Sequence, residues 1–263
     1  MKSNRFQKSL FGLLFALVLV ATPPVRADDA QQDDRPVLLS RSFKAKEVCR
    51  IKSVVKATFN GMNHILESTE KRTIKEVKKN GDVVDVETPE SLIFDGQLQP
   101  LDSSLDTILT RDKSGVLVDY REAGESMSSF SLEIRQLLTS LAVALLSNKP
   151  VKTDDSWETK FKNPAVKGKK VLVKTTYLGA DRVEANIAWK LKQTGEVEVN
   201  DQGAKMRFEA TFWLDPNTGQ MLKQETNFTD IPTLQGYPLS LSITASLVEP
   251  ETASAPVATK TDR

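Results

Sequence analysis

The sequence predicts a mainly β protein with one central helix, built as an antiparallel curved sheet or as two half-barrels, with the helix packed on the inner face. Three observations support this fold class. Apolar and polar residues alternate with a period of two in several segments of both halves of the chain. One segment in the middle follows a helical period instead, and short turn motifs separate the alternating segments. We expect about ten strands.

The alternation is clearest in the second half of the chain. Strands are predicted over residues 181–191, 206–214 and 239–247, where apolar side chains occupy every second position. Because successive side chains of a strand face opposite sides of the sheet, each segment has one core face and one solvent face. The predicted core faces include Ile187, Trp189, Leu191, Phe208, Phe212, Leu241 and Ile243.

The first half alternates in the same way but less regularly. A strand is predicted from Cys49 to Phe59, with Cys49 as a small buried residue on its core face. Asn60-Gly61 then indicates a tight hairpin, because such turns need positive φ angles. Residues 64–78 carry charges on both faces, which favours an edge strand or a strongly exposed one.

One segment, residues 128–147, has the period of a helix. Apolar residues recur there at spacings of three and four, serine hydroxyls at its start can cap the helix, and residues 148–150 end it. Residues 141–146 are apolar on nearly every side, which is typical of a buried helix. We therefore expect a core helix whose leucines meet the apolar faces of the strands: Leu138, Leu141 and Leu145.

The first 27 residues have the three parts of a cleavable secretory signal peptide. A basic leader precedes an apolar run over residues 10–21, and Val25-Arg26-Ala27 places small residues where signal peptidase cleaves. The run has 12 residues, fewer than the roughly 20 that a membrane span needs. We therefore expect an exported protein, periplasmic or extracellular, that does not span a membrane after cleavage.

The rest of the chain is predicted to hold one domain. Residues 28–39 and 250–263 are polar and expected to be disordered. A single β-rich domain then covers residues 40–249.

This domain has two candidate pseudo-repeat halves, residues 40–125 and 150–249, joined by the helix at 128–147. Residues 112–115 and 215–219 are similar Asp-to-Gly turns between predicted strands, one in each half. A duplication and a chance likeness of two common turns both remain open.

Charge argues against one class of partner. Four of the 36 basic residues and none of the 35 acidic ones lie in the predicted signal peptide, so the mature chain is close to neutral. Nucleic-acid binding needs a concentrated positive surface. We therefore expect no nucleic-acid partner, and a lysine-rich stretch over residues 160–174 is interpreted as solvated strand and loop.

No motif indicates a catalytic residue, a cofactor or a metal. His64 is the single histidine and Cys49 the single cysteine, too few for a zinc site. The sequence contains no nucleophile elbow, calcium loop or phosphate-binding glycine loop. His64 is expected to be a surface residue.

Trp213 is the one candidate for a ligand contact. It points away from Phe212 on a predicted strand, so it is the tryptophan expected to be exposed or ligand-facing. Trp189, in contrast, is expected in the core.

One segment resembles a known group of proteins. Residues 149–157, KPVKTDDSW, resemble the start of the second half of uncharacterised secreted bacterial proteins of planctomycete-like genomes, although Asp154 stands where glycine is usual. That family implies no activity. The combination of long antiparallel strands with an internal helix also resembles periplasmic lipoprotein carriers, whose half-barrels hold acyl chains.

Two functions of different classes remain open. The first is a non-enzymatic exported protein, either a carrier for a hydrophobic ligand or an envelope-associated protein with a lipid or envelope partner. The alternative is a carboxylate-dependent, carbohydrate-active hydrolase, which needs two carboxyl groups facing each other across a cleft. An apolar cavity between sheet and helix favours the first, and a polar cleft with paired acids favours the second.

Overall fold

The computed structural model of the chain describes residues 35–101, 106–123, 130–233 and 238–248. This part contains twelve strands and one helix. In chain order they are β1 (Val48–Phe59), β2 (Met62–Val77), β3 (Val83–Phe94), β4 (Gln97–Leu98), β5 (Thr107–Arg111), β6 (Leu117–Glu122), α1 (Leu132–Leu141), β7 (Ser156–Lys162), β8 (Lys170–Val183), β9 (Asn186–Glu198), β10 (Lys205–Leu214), β11 (Met221–Pro232) and β12 (Pro238–Val248).

All the strands belong to one antiparallel sheet. Its order is β6-β5-β3-β2-β1-β12-β11-β10-β9-β8-β7, and the short β4 pairs with β3 beside this path. The first and last strands join the two halves, with pairs running from Arg50–Val248 to Phe59–Leu239. The sheet is not closed, because β6 and β7 lie at opposite ends of the order. The predicted fold class is confirmed.

The connection from β6 to β7 has to cross the sheet, because these two strands are its opposite edges. α1 and residues 142–155 make this crossing and cover one face, the inner face of the sheet. Ser131 caps α1, with its side chain accepting a hydrogen bond from Ile134 N. Arg135 then ties the helix to β6 through Glu122, with an Nη2–Oε2 distance of 2.7 Å.

The helix ends earlier than predicted. It stops at Leu141, and residues 142–147 continue as non-helical backbone. The stretch is nevertheless buried, because polar groups of neighbouring segments take the place of helical hydrogen bonds. Leu145 N donates to the side chain of Gln193, Gln193 Nε2 donates to Val143 O at 3.1 Å, and Leu146 N donates to Ser114 O at 2.8 Å. Apolar content predicted the burial correctly but not the backbone conformation.

Two adjoining apolar clusters fill the space between the sheet and its cover. Leu141 and Leu145 pack in the first cluster with Phe208, as predicted. Leu138 packs at its margin, partly buried. Trp189 and Phe212, which were expected to meet these leucines, belong instead to the second cluster, together with Ala144 and Leu146.

Ile187 does not join either cluster. It is 60% exposed, because β9 starts at Asn186, directly after a hairpin, and Ile187 therefore lies at the end of the sheet. The prediction of a core position for Ile187 is wrong.

β2 is an interior strand. It pairs with β1 on one side and with β3 on the other. The prediction of an edge strand over residues 64–78 is wrong, because the charges that suggested solvent on both faces include side chains that point into the interior.

The ordered part of the domain begins before residue 40. Val37 pairs with Val151 in an isolated bridge, and Leu39 is buried in the second cluster. These residues lie within the segment expected to be disordered, and their apolar side chains attach it to the fold. Residues 1–34, which include the predicted signal peptide, and the tail at 250–263 lie outside the described residues. No helix in the described part is long and apolar enough to span a membrane.

Candidate functional site: a cavity with one apolar and one charged wall

A cavity of about 210 Å³ lies between the inner face of the sheet and the covering residues 139–144. Strands from both halves of the chain line it. β10, β11 and β12 supply mainly apolar side chains, whereas β2, β3 and β5 supply charged ones. The apolar wall includes Phe212, Leu214, Met221, Ile243 and Ala245, and the charged wall includes Glu70, Arg72, Glu87 and Arg111.

A fully buried carboxylate holds the charged wall together. Asp85 on β3 accepts hydrogen bonds from Arg72 Nε at 2.5 Å and from Arg111 Nη1 at 2.8 Å. A buried carboxylate is strongly destabilising unless it is paired, so Asp85 requires both arginines. Arg111 also lies near Glu87, with 3.7 Å between Arg111 Nη2 and Glu87 Oε1. Adjacent strands therefore fix two guanidinium groups at this wall.

A third arginine comes from outside the sheet. Arg41 Nη2 donates to Ala144 O at 2.5 Å, which links the N-terminal segment to the cover of the cavity. Arg41 Nη1 is buried and has no hydrogen-bond partner among the described residues, and the same holds for Arg111 Nε. Burial, together with the positive charges of Arg72 and Arg111, lowers the pKa of Arg41 to about 9.

The two Asp-to-Gly turns hold the Arg41 segment in place. Gly115 and Gly219 both have positive φ angles, and both approach this segment closely. A Cβ atom on Gly115 would lie 2.6 Å from Arg41 Nη1, and one on Gly219 would overlap Ser40 O. Ser42 N also donates to Thr218 O at 2.8 Å. The turns that suggested an internal repeat therefore meet at one place, while the duplication itself stays a prediction.

Glu70 is a second titratable group of the cavity whose pKa is strongly shifted. Burial and the nearby charge of Glu87 raise its pKa to about 7, against the opposing effect of a hydrogen bond with Ser68. Glu70 is therefore partly protonated near neutral pH and can both donate and accept a hydrogen bond.

Trp213 lies away from this cavity. Only 8% of the residue is exposed, so the prediction of an exposed tryptophan is wrong. Its indole Nε1 donates to Asp181 at 2.9 Å, and the ammonium groups of Lys190 and Lys223 lie 5.2 and 4.8 Å from the ring centroid. Those neighbours cover the ring, and a ligand-facing role for Trp213 stays a prediction. Trp189 is buried in the second cluster, as predicted.

The other residues considered from the sequence also lie outside the cavity. His64 Nδ1 lies 2.8 Å from Asp95 Oδ2 and its ring stacks on Phe94, near the far end of β2. Cys49 is half-buried, and burial raises the pKa of its thiol, which disfavours the reactive thiolate. Among the described residues, no group of three or more His, Cys, Asp or Glu side chains is placed to hold a metal ion.

The sequence missed the arginines of the cavity. Arg41 lies near the start of the predicted domain, where no motif indicates a role, and Arg72 lies in the segment 64–78, which is expected to be an edge strand or a strongly exposed one. The sequence does place Ser68, Glu70 and Arg72 on one face of β2. That this face lines the interior follows only from the strand order, which puts β2 inside the sheet.

Comparison with known proteins gives limited similarity. No family model and no curated protein matches the chain. Among solved structures it is similar to a DUF1329 family protein from Desulfovibrio piger, with 11% identity, 75% of this chain and 84% of that chain covered, and a TM-score of 0.23. It is also similar to a domain from Vibrio parahaemolyticus described as an outer membrane lipoprotein-sorting protein, with 9% identity, coverage of 78% and 87%, and a TM-score of 0.23.

The comparisons do not support the suggested link to planctomycete-like proteins.

Proposed function

We propose that the chain is a non-enzymatic carrier that binds a small hydrophobic ligand in the cavity between the sheet and its cover. The observation that carries this proposal is the apolar wall of that cavity, which β10, β11 and β12 supply. Ligand sites are typically concave and mostly apolar, with a few polar groups that orient the ligand. The arginines and Glu70 are such polar groups.

A bound ligand is expected to stabilise the folded state, because it binds the folded chain and not the unfolded one. Its apolar part removes the apolar wall from water, and its polar part takes the place of water at the charged wall.

The size of the cavity limits the ligand. Sites for drug-sized ligands measure roughly 300–1,000 Å³, so about 210 Å³ accepts one short chain or one small ring. A longer molecule requires the cover at residues 139–144 to move. With the signal peptide predicted at residues 1–27, the proposed source of the ligand is a lipid or another envelope component.

The experiment uses 1-octanol as a short apolar probe and isothermal titration calorimetry as the measurement. Wild-type protein is expected to bind octanol. Ala245→Leu places a larger side chain in the cavity and should lower the affinity for octanol at least fivefold. Thr244→Leu, on the exposed face of the same strand, should leave that affinity unchanged. No octanol binding by wild type, or equal effects of the two variants, would overturn the proposal.

A specific observation keeps the hydrolase as a second candidate. Glu70 and Glu87 line the same cavity, and the pKa of Glu70 is raised to about 7, as expected of the general acid of a glycosidase. Glu87, however, also faces Arg111, and half of the cavity wall is apolar. The carrier therefore fits the geometry better.

A direct test separates the two candidates. The purified protein is incubated with a panel of nitrophenyl glycosides, with Glu70→Gln as the matched variant. A hydrolase would release nitrophenol in wild type and lose that activity in the variant. A carrier shows no turnover in either protein, and both bind octanol.

A further inference from the structure

We propose that the ligand of the cavity is an amphiphile with a carboxylate head group, and that Arg41 binds this head group. The inference rests on the proposed carrier function and adds the chemical class of the ligand. Its basis is the lining of the cavity, which combines an apolar wall with two arginines, each with one guanidinium nitrogen that has no hydrogen-bond partner among the described residues.

Arg41 forms no ion pair with a carboxylate among the described residues. Asp85 pairs with Arg72 and Arg111, and Glu87 faces Arg111. The remaining acid close to Arg41 is Asp112, whose Oδ1 accepts hydrogen bonds from Ser114 N, Ser114 Oγ and Val116 N. Asp112 therefore holds its own turn together and forms no ion pair with Arg41 among the described contacts.

Leaving a buried charged donor unpaired is costly. A buried N–H without a partner costs free energy comparable to a lost hydrogen bond, and more when the group is charged. Arg41 Nη1 and Arg111 Nε are both in this state among the described residues, and both side chains line the cavity. An incoming carboxylate accepts such hydrogen bonds and pairs with the positive charge.

The position of the charged groups selects the size and charge of the head group. Three guanidinium groups line the cavity together with the acids Glu70, Glu87 and Asp112. A dianion would meet repulsion from these acids, and a cation would meet the arginines. A single negative charge with planar geometry matches the fork of a guanidinium group, and the attached chain then extends along Phe212, Leu214 and Ile243.

The experiment compares octanoate, 1-octanol, octylamine and acetate on wild-type protein by isothermal titration calorimetry. Octanoate is expected to bind at least about tenfold more tightly than octanol, because a charge-assisted hydrogen bond is gained. Octylamine is expected to bind more weakly than octanoate because it has no carboxylate, and acetate because it has no long alkyl chain.

Variants at Arg41 test the residue assignment. Arg41→Met should bring octanoate affinity down to that of octanol while octanol binding persists, which shows that the cavity is intact. Arg41→Lys should retain part of the preference. Arg207→Met, at an exposed arginine on β10, should change neither affinity.

The outcomes separate the two proposals. Equal affinity of wild type for octanoate and octanol would overturn the head-group assignment and leave the carrier standing. Retention of the full octanoate preference in Arg41→Met would overturn the role of Arg41. Absence of binding by both probes would overturn the carrier and the head group together. Acetate binding as tight as octanoate would show a site for small anions and overturn the amphiphile.

Discussion

Glu70 shows how strongly the pKa of a residue depends on the strand beside it. Its carboxyl group is buried next to Glu87, and its pKa rises to about 7. The folded state therefore holds this proton to higher pH than the unfolded chain does. Between the unfolded pKa near 4.5 and about 7, the folded chain binds more protons, so its stability falls as the pH rises through this window.

Glu70→Gln is expected to remove this pH dependence. The variant should match wild type near about pH 4.5 and exceed it by on the order of 2–3 kcal/mol near about pH 8. Urea unfolding at several pH values measures the difference. Glu225→Gln, on the exposed side of β11, should follow the wild-type curve. A wild-type protein that is equally stable across the whole range would contradict the assignment.

Gly219 and Gly203 form a matched pair for testing how the Asp-to-Gly turn at Gly219 holds the Arg41 segment in place. Both have positive φ angles, but only at Gly219 does a Cβ overlap other atoms, those of Ser40 and Arg41. Gly203→Ala should lower the free energy of unfolding by roughly 1–2 kcal/mol, from backbone strain alone. Gly219→Ala should lower it clearly more, because the segment that carries Arg41 must also shift. Thermal unfolding of both variants checks this, and equal costs would show that the contact is unimportant.

At the level of the elements, periodicity predicted most strands and one helix. Strands around Trp189, Phe208 and Leu241 were found as expected, because their core faces are apolar and their outer faces polar. The prediction for β2 was wrong because its inner face carries the charged residues Glu70 and Arg72. Since its outer face is charged as well, apolar and polar residues do not alternate along this strand. The helix was extended too far because Gln193, distant in sequence, binds the backbone after it.

The helix provides a stability test on one element. Leu141, at the end of the helix, is fully buried, whereas Leu132, at the start of the same helix, is 44% exposed. Leu141→Ala should destabilise the domain by about 2–5 kcal/mol, from lost burial and the cavity left behind. Leu132→Ala should change stability by less than about 0.5–1 kcal/mol. Denaturant midpoints that coincide for the two variants would show that Leu141 is not part of the core.

On the scale of the whole molecule, the cavity depends on the strand order. Strands of the first half supply its charges and strands of the second half supply its apolar wall. Neither half of the sequence contains the site, so no local motif was there to find. The candidate residues became recognisable only once β1 and β12 placed the two halves side by side. The single residue proposed from local pattern, Trp213, lies elsewhere.

The pairing of the first strand with the last also governs when the chain can fold. Arg50 has to meet Val248, so the ladder that unites the sheet closes the longest loop in the domain, and such non-local pairing is intrinsically slow. During synthesis, β1 can pair with β2 early, but it lacks its other neighbour until β12 has emerged. A chain that ends before Pro238 should therefore remain protease-sensitive instead of forming a stable half, and limited proteolysis of that truncation beside the full chain measures it. Completion of the sheet therefore waits for the final strand.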